Sequence, residues 1–247
     1  MTRRFVAVLL LFFVAIAPHV ARGHTLSVQV KDKYVLGKGV KIYDGPVVQT
    51  DLLINLPRGF YVDLWWSAGL DNSDLDGGLD DEVDYTVGWA GKAKGLDLDF
   101  GVSYFDLIGL YSLDGGDVVQ PYLDLGKSFQ PTERHAFTPY IRAEVQIPIG
   151  WDEDAHNGVH LFGGLKHTWQ AHERFSVFHK LALMYDTGTF VNSDHGFLGH
   201  YDLALNWRIA DAVTVQLPTF RVVFPISDLS DGREVQHVVG GGVTITF

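Results

Sequence analysis

The charged side chains of this chain fall into two groups along its length. Asp51, Asp63, Glu82, Asp84, Asp97 and Asp99 occupy polar positions of alternating stretches in the first half. Arg142, Lys166, Lys180, Arg208 and Arg221 occupy such positions in the second half. Gln49 extends the first group as a neutral polar residue, and Glu144 and Asp202 interrupt the second. If these stretches closed into a ring, acids would face bases across its interior. Such an interior carries a transverse field, and rings of charge select permeating solutes. The same groups can instead pair into an ion network that fills a narrow interior. A conducting pore and a plugged lumen both follow from these residues.

Other residue patterns carry less. Residues 72–82, NSDLDGGLDDE, place oxygen side chains at Asn72, Asp74, Asp76 and Asp80 with Gly77 at the turn. That matches the first half of a calcium loop, but Val83 stands where the bidentate Glu belongs. A solvated loop accounts for it better. Asp186-Thr187-Gly188 matches the aspartic-protease triplet, once, at a strand-to-loop junction. His156, His160, His195 and His200 lie near loop ends without a ligand spacing. His167 and His179 fall out of phase with the polar face, beside Thr168 and Ser176. A barrel enzyme acting on lipid needs its nucleophile and His base together on the outer face. Thr168 and Ser176 belong to the opposite face. No catalytic residue, metal or cofactor is assigned, and the absence of cysteine excludes disulfides and thiolate chemistry.

The elements that must position the charges are strands. In residues 47–70, every second side chain is apolar: Val48, Leu52 and Ile54, then, beyond a turn at Pro57-Arg58-Gly59, Phe60, Val62, Leu64 and Trp66. The intervening positions hold Gln49, Asp51, Tyr61, Asp63 and Ser67. Alternation with period two defines a strand with one oily and one wet wall. The pattern repeats over 25–36, 82–90, 96–105, 118–129, 137–149, 159–170, 175–185, 197–209, 213–223 and 235–247. Pro121 weakens one strand, and Pro218 marks a bulge in another. The connections alternate long and short, from 37–45 and 57–59 to 210–211 and 224–234. Long external loops and short periplasmic turns are the habit of outer-membrane barrels, which also take even strand numbers. A soluble sandwich gives no reason for this asymmetry. Phe60, Trp89, Trp169, Phe175, Trp207 and Phe247 cluster near short turns, and Tyr104, Tyr185, Phe197 and Tyr201 near long loops. Two aromatic belts at two interfaces fit a barrel in lipid. The sequence predicts an all-β fold, a closed antiparallel up-and-down transmembrane barrel of about twelve strands.

The amino terminus sets the compartment. Arg3-Arg4, the apolar run 5–17 and small residues at Ala21 and Gly23 read as a signal peptide over 1–23, leaving the barrel at 24–247. Losing Arg3, Arg4 and Arg22 takes the formal charge from −11 to −14, which argues against nucleic acid. The expected destination is the outer membrane of a Gram-negative bacterium, after secretion to the periplasm. The expected partners are outer-membrane lipid, small polar solutes and, through the terminal Phe247, the barrel-assembly machinery.

Residues 33–55, KYVLGKGVKIYDGPVVQTDLLIN, resemble the opening of the TorF family of porins in Tyr34, Gly39, Pro46 and Gln49. Glu82-Val83-Asp84-Tyr85, Gly88-Trp89 and Tyr104-Phe105-Asp106 match the family's next segment. Lys38 stands where the family often has Arg, and Gln120 and Asp124 stand where an inward Glu is common. The resemblance implies an outer-membrane channel and names no solute. A barrel enzyme acting on lipid and a plugged structural or adhesive barrel are the alternative functions.

Overall fold

The computed structural model describes residues 23–37, 39–70, 82–106, 116–150, 155–188, 195–227 and 234–247. Residues 1–22, where a leader is expected, and most of the 72–82 stretch therefore lie outside the described residues. The chain forms β1 (Thr25–Lys31), β2 (Tyr34–Val35), β3 (Lys41–Tyr43), β4 (Val47–Asn55), β5 (Phe60–Gly69), β6 (Glu82–Ala93), β7 (Leu96–Asp106) and β8 (Asp117–Gly126). It continues with β9 (Phe129–Thr132), β10 (His135–Ile149), β11 (Gly158–His172), β12 (Phe175–Asp186), β13 (Gly196–Ala210), β14 (Val213–Pro225) and β15 (Gln236–Thr246).

Twelve of these strands close an antiparallel barrel in the order β1-β4-β5-β6-β7-β8-β10-β11-β12-β13-β14-β15. β15 pairs back onto β1, from Thr25 opposite Thr246 to Lys31 opposite Gly240. The short β9 extends the β8–β10 hairpin at its turn.

The oily walls face outward. Val87 and Ile141 are 60% exposed, Trp207 59% and Leu181 58%. Leu26, Leu52, Leu64, Tyr85 and Tyr104 form one cross-strand row on this outer face. The interior instead holds Gln49, Ser67, Glu82, Gln120, Gln146 and His160, all buried. Two small apolar clusters interrupt it: Met184, Leu198 and Val223 on the wall, and Tyr34, Tyr43 and Val47 beneath the first loop. No sandwich core is present among the described residues. This inside-out distribution is what lipid as the outer solvent demands.

Ring pairs mark both ends. Trp89 meets Phe100 at 5.4 Å and Phe175 meets Trp207 at 6.2 Å near the short turns. Tyr85 meets Tyr104 at 6.4 Å and Tyr185 meets Phe197 at 4.9 Å near the long loops. The predicted bulge appears as register shifts on both sides of Leu217-Pro218.

Several boundaries differ from the sequence reading. The turn expected over 91–95 shrinks to Lys94-Gly95, at φ 50° and 78°. Positive φ at both central residues suits the two-residue hairpin turn whose twist matches its strands. Residues 130–132, expected in a turn, belong to β9. The largest correction is at 32–46. The strand expected over 25–36 stops at Lys31, and Tyr34 and Leu36, placed on the oily outer wall by alternation, turn inward instead. The connection 37–45, expected outside, carries β3, which pairs with β2. This β2–β3 loop packs inside the barrel. An inward Tyr34 gains a carboxylate for its hydroxyl and an indole for its ring, which an outward one would lack.

Candidate functional site: a charged lumen crossed by an inward loop

The β2–β3 loop is pinned at two places. Tyr34 Oη donates to Glu82 Oε2 at 2.5 Å, and its ring lies 5.6 Å from Trp65. At the far side, Gly39 adopts φ +79° and approaches Leu198 and Val223 so closely that a Cβ would sit 3.2 and 3.3 Å from their methyls. Only glycine takes that φ at no steric cost. Cavities of about 450 and 340 Å³ remain beside the loop, and Tyr34, Leu36 and Gly37 border both.

The acidic wall spans β4 to β7. Asp51 lies beside Asp63 and Glu82 beside Asp84, two carboxylate pairs on one wall. Among the described residues no cation lies within ion-pair distance of these four. Among the described residues Asp84 Oδ1 and Asp63 Oδ1 have no hydrogen-bond partner. Gln49 accepts from Lys31 Nζ at 2.5 Å. Asp99 accepts from Tyr61 Oη at 2.8 Å, and Tyr61 in turn contacts Tyr122 Oη.

The basic wall spans β10 to β14, and much of it is already paired. Arg142 Nε meets Glu144 Oε1 at 2.6 Å, and Arg221 Nε meets Asp202 Oδ1 at 2.6 Å. Lys166 and Lys180 are held more loosely, 3.7 Å from Asp124 and 3.8 Å from Asp202. His160 lies 3.5 Å from both Glu144 and Asp186. Asp97 and Arg208 sit apart from this group, near the short turns. Asp97 meets Lys92 at 3.1 Å, and Arg208 donates to the Glu173 carbonyl at 2.9 Å.

Tyr34, His200 and Tyr140 were not singled out for this interior by sequence. The signals were present: Asp32-Lys33 and two glycines break the first strand's alternation, and His200 shares a parity with Asp202.

The remaining motifs have structural roles. Thr187 Oγ1 accepts from Val159 N at 2.8 Å and Asp186 Oδ1 from Gly188 N at 2.9 Å, so the Asp-Thr-Gly triplet ties off a strand end. His167 and His179 lie on the outer face, in a row with His135 and Tyr201. His135 and His167 hydrogen-bond at 3.0 Å and His179 meets Tyr201 Oη at 2.9 Å. Ring nitrogens on a wall facing lipid need partners, and here they find each other. Thr168 and Ser176 face the other way, towards the lumen, with Ser176 at a recess near Arg208. Among the described residues no three-ligand metal cluster exists.

Solved structures share this architecture. The barrel resembles the NanC porin at TM-score 0.59 and 13% identity, covering 90% of this chain and 100% of that one. It resembles the KdgM porin at TM-score 0.55 and 12% identity, covering 90% and 99%. An outer membrane channel from Pseudomonas putida F1 gives TM-score 0.54 and 13% identity, covering 92% and 97%. No family model and no curated relative matches the sequence. At such identities the likeness shows the fold alone, a closed twelve-stranded antiparallel barrel like those of outer-membrane proteins.

Proposed function

We propose that this protein is an outer-membrane channel for passive diffusion of small polar solutes through a charged lumen, akin to the TorF porins its motifs resemble. The leader delivers it to the periplasm, Phe247 presents it to the barrel-assembly machinery, and the short turns face the periplasm. One observation carries the reading: the inward loop crosses the lumen without filling it, leaving about 450 and 340 Å³ bordered by charged side chains. A plugged barrel would have side chains meeting there. Planar-bilayer recording on the refolded mature chain tests it. Discrete conductance steps are expected; a silent, correctly folded barrel would overturn the reading.

A further inference from the structure

The smaller cavity, about 340 Å³, is bordered on one side by Glu82 and Asp84 and on another by Lys166, Lys180 and Arg221. Around the ring, β6 and β11 are separated by three strands, β7, β8 and β10, so these groups face each other across the lumen rather than along one wall.

The two sides are unequal in a way that matters for a ligand. Glu82 and Asp84 have each other and the Tyr34 hydroxyl, but no cation among the described residues. Opposite them, Lys166 and Lys180 stand 3.7 and 3.8 Å from their carboxylates. That exceeds the 2.7–3.2 Å of a direct N–H···O bond. Each ammonium therefore retains donors for a second acceptor. Three further polar atoms bordering the same cavity have no hydrogen-bond partner among the described residues: Tyr140 Oη, His200 Nε2 and His160 Nε2, the last 3.5 Å from Asp186. Tyr140 is 5% exposed and His200 6%, so bulk water reaches neither freely. An unpaired buried polar group is costly, and a bound solute with an acceptor would remove that cost.

A cation would satisfy only the acidic side and an anion only the basic side. A molecule carrying both charges at short separation satisfies both. From this geometry we infer that the cavity binds small zwitterions of amino-acid or dipeptide size, ammonium towards Glu82 and Asp84, carboxylate towards Lys166 and Lys180. The volume lies at the small end of ligand pockets. The β2–β3 loop completes the site, since Tyr34 both orients Glu82 and bounds the cavity. This inference rests on the channel reading for its biological meaning, but its test does not.

Glycylglycine is the probe, with acetate, ethylammonium and ethylene glycol as its charge-separated and neutral counterparts. Titration calorimetry on the detergent-folded mature chain should show saturable heat with glycylglycine alone. Glu82→Gln with Asp84→Asn, and Lys166→Met with Lys180→Met, should each weaken binding by about tenfold or more, the loss of one charged contact. Variants are first checked for the heat-dependent gel shift of a closed barrel; if a double variant fails to close, Lys180→Met alone takes its place. Equal heats for glycylglycine and acetate, or none for any probe, overturn the inference. In planar bilayers, glycylglycine should interrupt the ion current where acetate does not. A silent bilayer with saturable binding would overturn the channel reading and leave the site standing.

Discussion

At the scale of single residues, tyrosines lean into glycines across the sheet. Tyr140 rests on Gly164, where an added Cβ would lie 2.5 Å from the Leu181 carbonyl and 2.8 Å from the Tyr140 ring. Tyr122 uses Gly101 in the same way, with its hydroxyl 2.8 Å from the missing Cβ. The neighbouring Gly163 has open space instead. Gly164→Ala should therefore cost about 1–3 kcal/mol through overpacking, whereas Gly163→Ala should change stability by less than about 0.5 kcal/mol. Urea unfolding in lipid vesicles, followed by tryptophan fluorescence, separates the two; equal midpoints would contradict the packing described. Lys166 depends on the same pair, because its Nζ sits 4.6 Å from the Tyr140 ring centroid.

At the scale of elements, the β2–β3 loop sets the width of the lumen while the barrel closes without it. Lys31 and Val47 are direct cross-strand partners at the loop's base. Replacing residues 33–45 by Gly-Gly should leave that pairing intact and remove the obstruction. Single-channel conductance should rise by about twofold or more as the narrowest section widens; an unchanged conductance would place the constriction elsewhere. This loop also shows where sequence reading ran out. The strands were legible because alternation such as Phe60, Val62, Leu64 reports which solvent each face meets. Tyr34 and Leu36 continue that alternation in letters, yet they follow a turn at Asp32-Lys33 and occupy the opposite solvent. Periodicity cannot see a reversal of the chain into a cavity that exists only once twelve strands have closed. The same limit applies to the charges. Their alternation put Lys166 and Lys180 on one face, but only the register shows Lys180 opposite Asp202 and Arg142 opposite Asp124.

At the scale of the molecule, the exposed band around the barrel is apolar and the interior is charged. Ile141, 60% exposed near the middle of β10, belongs to that band. Ile141→Arg should destabilise the barrel in vesicles by about 2–4 kcal/mol, the cost of a cation at mid-bilayer. Urea titration in vesicles checks this; a neutral result would mean that this wall does not face hydrocarbon.

The seam between β1 and β15 has a consequence for biogenesis. Ser27 and Thr244 touch at 2.9 Å although 217 positions separate them, and the Gly23 and His24 amides both donate to the Phe247 carbonyl. Until the last segment has been made, the first is paired only with β4, and the bare amides of its other edge would find no acceptor among acyl chains. A ring left open at this seam would therefore present unpaired backbone to lipid, and the pairing of β1 with β15 removes that edge.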